Sequence, residues 1–172
     1  MKSMMNSIQI NEAMKNLKEW ELIGSFSVGG FEYMGFSNNN SNKLIIISSQ
    51  RNTIFDCEDG SITDIDAEFD EKELVAITDM LSDEYIPIAG AYGGQMPHKA
   101  PQGERVEVSY HDRHIVSGKE LQLQQIVFVD RFGAENIIYD NYPSYVCGFS
   151  YDGNSFALAD DGGVYVLRRI HN

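Results

Sequence analysis

The sequence predicts a single α+β domain over residues 1–172, mainly β, built from antiparallel sheets with two short helices. Three observations carry this expectation. Short apolar runs bounded by turn residues recur along the chain, one strand-turn-strand pattern occurs twice, and helical periodicity is confined to two brief segments.

The first helical segment lies near 11–22. Ile10, Ala13, Met14, Leu17 and Trp20 recur at helical spacing, with Asn11 as a capping residue and Gly24 as a stop. Trp20, the only tryptophan, would anchor this helix on a sheet. The second helical segment lies near 71–81. Asp70 and Glu73 make a start resembling a capping box, and Leu74, Ile77, Thr78 and Leu81 follow at helical spacing.

Between and beyond them, strand chemistry dominates. Phe31 to Phe36 runs into the polar stretch Asn38 to Asn42, which suits a turn because asparagine tolerates positive φ. Leu44-Ile45-Ile46-Ile47 is an unbroken apolar run of the sort found in strands buried on both faces. Thr53 to Cys57 closes the unit. The same arrangement returns near the C-terminus: Cys147-Gly148-Phe149-Ser150 matches Met34-Gly35-Phe36-Ser37, Phe156 to Ala159 matches Leu44 to Ile47, and Val164 to Leu167 matches Asn52 to Phe55. Leu44 and Ile54 are ten residues apart, as are Phe156 and Val166. The two units, near 31–57 and 144–169, therefore read as an internal repeat. Further strands are expected from Tyr85 to Ala89, with Pro87 favouring an edge, and at Arg105–Tyr110, Gln125–Asp130 and Asn136–Asp140.

Each repeat resembles a blade of a WD40-like β-propeller, in which a Gly-Phe-Ser turn joins inner strands and an Asp-Gly turn leads to the next; Tyr151-Asp152-Gly153 and Asp160-Asp161-Gly162-Gly163 stand at those turns. The Trp-Asp and Gly-His signatures of true WD40 blades are missing. A blade cannot bury both faces alone, so the copies must pack on each other or on the middle of the chain. The landmarks Ile54-Phe55-Asp56-Cys57, Ala89-Gly90-Ala91-Tyr92-Gly93-Gly94 and Gly148-Phe149-Ser150 together resemble a family of small, uncharacterised bacterial proteins, similar to ones encoded near toxin–immunity loci. That resemblance implies an immunity-like role and brings no catalytic residues with it.

Charge is the most informative feature. The net charge is −13, and the stretch Asp56–Glu84 holds twelve acids against Lys72 alone, a local charge of −11. Such a field repels phosphate backbones and anionic membranes, which argues against nucleic-acid and membrane partners, and it favours a basic protein. The candidate binding surface comprises Asp59, Asp64, Asp66, Glu68, Asp70, Glu71 and Glu73. If extended, Asp64, Asp66 and Glu68 share a face that could also hold calcium, though the ligand order of an EF-hand is missing; a solvated strand face is the plainer reading.

Other chemistry is thin. His111-Asp112-Arg113-His114 offers two imidazoles three residues apart but no third ligand, and reads as a polar hairpin tip rather than a metal site. The loop Gly90 to Pro97, with Tyr92, Gly93 and Gly94, is an alternative ligand loop, yet it fits neither a dinucleotide fingerprint nor a Walker loop, so its glycines are expected to permit close backbone approach. Cys57 and Cys147 have no histidine nearby and read as core thiols of a reduced, cytoplasmic protein. No h-region of a secretory signal follows Met1 and Lys2. The expectation is a non-enzymatic binding protein without cofactor or metal, an immunity-type inhibitor presenting its acidic surface to a basic protein such as a toxin. The alternative is a small-ligand or calcium-binding module, or a cryptic enzyme, using the 90–97 loop.

Overall fold

The structure, a computed structural model, describes residues 4–171, apart from the side chains of residues 112–114. Helix α1 (Ser7–Lys15) precedes β1 (Trp20–Phe26). Four strands then form a meander: β2 (Phe31–Phe36), β3 (Lys43–Ser48), β4 (Asn52–Asp56) and β5 (Ile62–Ile65). A small sheet follows, made of β6 (Glu68–Asp70), β7 (Val75–Ile77) and β8 (Ile86–Pro87), with a 3-10 turn at Asp79–Leu81 between the last two. The short β9 (Ala89–Gly90) pairs with β2. A long hairpin, β10 (Arg105–Val116) and β11 (Lys119–Val129), is joined by β12 (Glu135–Asn141). The chain ends in a second meander, β13 (Val146–Phe149), β14 (Ser155–Asp160) and β15 (Gly163–Arg169). All strand pairings are antiparallel.

The internal repeat is real down to its register. In the first copy Phe36 sits opposite Leu44 and Ile45 opposite Ile54; in the second Phe149 sits opposite Phe156 and Ala157 opposite Val166. Each copy gains a fourth strand from a different source. β5 follows β4 directly in the chain, whereas β15 is flanked by β1 from the opposite end of the chain.

The two repeats pack face to face. Met34, Phe36, Leu44, Ile46 and Phe55 meet Val146, Ala157, Ala159, Val164 and Val166. Small alanines on β14 receive the branched side chains of β3. Both inner sheets are also covered on their outer faces, which explains why Leu44–Ile47 and Phe156–Ala159 are apolar without alternation. Behind the C-terminal repeat, Phe156, Leu158 and Leu167 pack on α1, Trp20 and the sheet of β10–β12. Trp20 meets Phe128 edge-on, with ring centroids 5.4 Å apart. Behind the N-terminal repeat, Tyr33, Ile45 and Ile47 pack on Ala76, Ile86 and Ile88. Four sheets are thus layered, and each fully buried Ile, Leu or Phe contributes about 1.5–3 kcal/mol.

Two expected elements differ. Helix α1 starts at Ser7 rather than near residue 11, because Asn6 accepts from the Gln9 amide while the Gln9 side chain accepts from the Asn6 amide. It ends at Lys15, and a positive φ at Glu19 turns the chain so that Trp20 enters a strand instead of extending the helix to 22. The second helix near 71–81 is not formed. Asp70 does accept from the amides of Lys72 and Glu73, as a cap would, but Leu74 adopts a left-handed conformation and the chain reverses. β-branched Val75 and Ile77 then pair back onto β6, with Ala76 buried against the N-terminal repeat, and only the 3-10 turn remains of the helical pattern. His111 lies within β10 at a register shift, and the hairpin tip is Ser117–Gly118.

Glycines at equivalent repeat positions let distant chain pass over each sheet, residues 87–88 over Gly35 and 96–97 over Gly148. A Cβ at Gly35 would lie 2.0 Å from the Pro87 carbonyl oxygen, and one at Gly148 would lie 2.3 Å from Met96 Cβ. Gly35→Ala or Gly148→Ala is therefore expected to lower stability by about 1–3 kcal/mol through overpacking. Gly118→Ala meets nothing within 4 Å and should carry only the strain of its left-handed backbone, about 1–2 kcal/mol. Urea denaturation of the three variants measures both; a Gly35→Ala protein as stable as wild type contradicts the packing described.

Candidate functional site

Most of the acidic stretch belongs to β5, the small sheet β6–β8 and their connections. Ten of its twelve carboxylates are exposed; Asp56 and Glu84 are half-buried. The small sheet explains why. Phe69, Ala76 and Ile86 turn toward the N-terminal repeat, with the Phe69 ring 6.0 Å from that of Tyr33. Alternation then sends Glu68 and Asp70 to the opposite, solvent-facing side, beside Val75 and Ile77.

On that side the structure gathers a group of carboxylates. Asp66, Glu68, Asp79 and Asp83 line a groove of about 330 Å³ together with Ala67, Ile77 and Thr78. The Thr78 hydroxyl donates to the Asp66 carbonyl oxygen at 2.8 Å, tying one wall to the other. Among the described residues, these four carboxylates make no ion pair, whereas two other acids of the stretch do: Asp56 with Lys43, and Asp64 with Arg51 at 3.1 Å. Exposed Met80 and Tyr85 lie in the same segment.

The expected surface residues fall into separate places. Asp66 and Glu68 line the groove. Asp70, Glu71 and Glu73 stand on the turn joining β6 to β7, with Asp70 occupied in capping that turn. Asp59 lies at the far end of β5, in the turn after β4, where hydrogen bonds from the Ser61 hydroxyl and amide hold its carboxyl below the usual range. Asp64 sits on β5 against Arg51, so Asp64, Asp66 and Glu68 do not form one continuous face: β5 and β6 belong to different sheets. Asp79 and Asp83 complete the groove. Their place is set by the 3-10 turn that replaces the expected helix, a feature helical periodicity hides. Among the described residues, no three His, Cys, Asp or Glu side chains converge as a metal ion would require.

Glu84 has the structural role of longest reach within the acidic stretch. Its carboxylate accepts from the Ser37 hydroxyl and the Asn38 amide, both at 2.7 Å, and from the Asn39 amide at 3.1 Å, holding the first repeat's turn to the small sheet.

The 90–97 loop is built for close backbone approach. The Gly90 amide donates to the Gly93 carbonyl at 2.9 Å, and the reverse bond is 3.3 Å. A Cβ at Gly94 would stand 2.7 Å from the Ile88 carbonyl oxygen, and Gly93 and Gly94 both have positive φ. Tyr92 is left at the tip, 74% exposed.

His111 Nε2 lies 2.8 Å from Asp140 Oδ1 at the base of the long hairpin, and the Asp112, Arg113 and His114 side chains fall outside the described residues. Cys57 and Cys147 are free and buried, and burial pushes both thiols up to about 12. No helix among the described residues is long and apolar enough to cross a membrane. Compared with known proteins, the chain matches no family model and no curated protein.

Two outcomes are expected. Asp66→Asn, Asp79→Asn and Asp83→Asn should each change stability by no more than about 0.5 kcal/mol, as surface positions do, whereas Glu84→Ala should cost about 1–2 kcal/mol by stranding its donors; chemical denaturation separates the two classes. Because thiols held near 12 stay protonated and buried at pH 8, neither cysteine should react with iodoacetamide until the protein is unfolded, as peptide mass mapping with and without denaturant reads out.

Proposed function

We propose that the chain is a non-enzymatic binding protein that offers the outer face of its small sheet to a basic protein, in the manner of an immunity-type inhibitor acting in the cytoplasm. The observation that supports this most is the groove of Asp66, Glu68, Asp79 and Asp83, whose carboxylates have no ion-pair partner among the described residues and no part in holding the fold. Gathering like charges at one place raises local repulsion, so the arrangement favours an oppositely charged partner that relieves it. Such a surface speeds association with a basic partner by about 10- to 1000-fold and loses that advantage in salt. Exposed Met80 and Tyr85, in the same chain segment as Asp79 and Asp83, add the apolar and aromatic area that interface centres use. Both thiols lie buried and protonated, which favours binding over nucleophilic chemistry at those residues.

The test is affinity capture from cells that contain the native partner, followed by binding kinetics with the purified complex. Changing Asp66, Glu68 and Asp79 together to lysine should slow association by roughly tenfold or more and flatten its dependence on ionic strength. Unchanged association, or a thermal shift with calcium or small metabolites in place of any protein partner, contradicts the proposal.

A further inference from the structure

Tyr92 stands out among the exposed aromatic residues for how it is held. It occupies the tip of the turn Gly90 to Gly93, whose two ends exchange backbone hydrogen bonds, and the Ala91 amide donates to the Glu32 carbonyl oxygen at 3.0 Å. The turn is therefore fixed to β2 on one side and closed on itself on the other. One edge of the Tyr92 ring meets Tyr33, with centroids 6.1 Å apart and planes tilted by 56°, and Phe69 meets Tyr33 in a similar way from the small sheet. Tyr33 is buried beneath the two. The rest of the Tyr92 ring faces solvent. Two acidic residues are near this cluster along the chain: Glu32 precedes Tyr33 on β2, and Glu71 follows Phe69 by two residues on the turn after β6; after burial, their negative charges hold the Tyr33 hydroxyl above its ordinary pKa.

An aromatic ring on a closed turn, at the edge of an acidic sheet, has a defined complement. Its π face attracts a cation, the carboxylates attract the same cation at longer range, and little side-chain freedom is lost on binding because the turn is already closed. A neutral apolar side chain would use the ring and leave the carboxylates unmatched; an anion would be repelled by both. We infer that Tyr92 is the anchor for a single arginine or lysine side chain of a basic protein partner, taken over its exposed ring at the edge of the acidic small sheet. This rests on the acidic face being a binding surface, and it adds a residue outside the acidic stretch as the point where one cationic side chain is fixed. Scattered tyrosines on a surface need no explanation; this one is distinguished by the locked turn, the aromatic support and the adjoining charge.

The experiment uses the intact protein and a short oligo-arginine peptide, with the citrulline peptide of the same length as its neutral counterpart, followed by amide chemical-shift titration. Wild type should bind the arginine peptide and not the citrulline peptide, with the largest shifts at residues 90–94 and 69–73. Tyr92→Ala should weaken binding about two- to fivefold, Tyr92→Phe should retain it, and Tyr92→Trp should match or exceed wild type, following the order of cation attraction by aromatic rings. Since Tyr92 is exposed, unchanged thermal unfolding of all three variants separates lost binding from lost folding. If Tyr92→Ala binds as wild type does while lysine substitutions at Asp66 and Glu68 weaken binding, the anchor is wrong and the acidic-face reading stands. If wild type binds both peptides equally, the acidic-face reading falls and takes the anchor with it.

Discussion

The contact between the two repeat sheets is the constraint from which the rest of the structure follows. Leu44, Ile46 and Phe55 on one side and Ala157, Val164 and Val166 on the other form a buried apolar interface that neither repeat can replace with solvent. Because both copies carry the same strand register, they present equivalent faces, and the smaller side chains of the second copy make room for the larger ones of the first. The ends of the chain are drawn into the same contact. β1 pairs with β15, placing Trp20 opposite Arg169, and the Arg169 guanidinium lies over the Trp20 ring while pairing with buried Glu104. A buried pair of this kind loses hydration on both partners and holds only while both are present. It therefore ties β1, β15 and the turn before β10 into one unit.

With the inner sheets fixed, the outer layers have different tasks. The β10–β12 sheet and α1 cover the C-terminal repeat with a deep aromatic core around Phe128, Phe149 and Phe156. The small sheet covers the N-terminal repeat with one face only, through Phe69, Ala76 and Ile86, so the side chains of its other face are spare. Those spare positions are where the carboxylates collect. The fold needs Glu84 to hold a turn and Asp70 to cap one, and the groove acids are left with no structural duty. The side chains that hold the fold and the acids free of structural duty thus lie on different faces of the same three short strands.

Much of the architecture was legible in the sequence, for reasons that are local. The ten-residue spacing in both repeats, the unbroken Leu44–Ile47 run and Pro87 on an edge strand each express a constraint that acts within a few residues. What was not legible depended on distant partners. Leu74 to Leu81 carries helical periodicity, yet Ala76 is needed against Ile45 and Ile47, and that tertiary demand overrides the weak local preference. Losing that helix also moved the site: Asp79 and Asp83 come to face Asp66 and Glu68 only because the chain reverses at Leu74. The expected line of Asp64, Asp66 and Glu68 assumed one strand where the chain crosses between two sheets. Trp20 was placed on the correct core by the wrong element, since its burial follows from hydrophobicity and its strand from the turn at Glu19.

The proposed recognition surface is the small sheet and its flanking turn, away from the long hairpin at the other end of the stack. Hydrogen–deuterium exchange of the chain, free and in its partner complex, addresses this most directly. Slowed exchange in residues 66–73 and 79–94, with the β10–β11 hairpin unaffected, is the predicted footprint. Slowed exchange confined to residues 110–123 would contradict it.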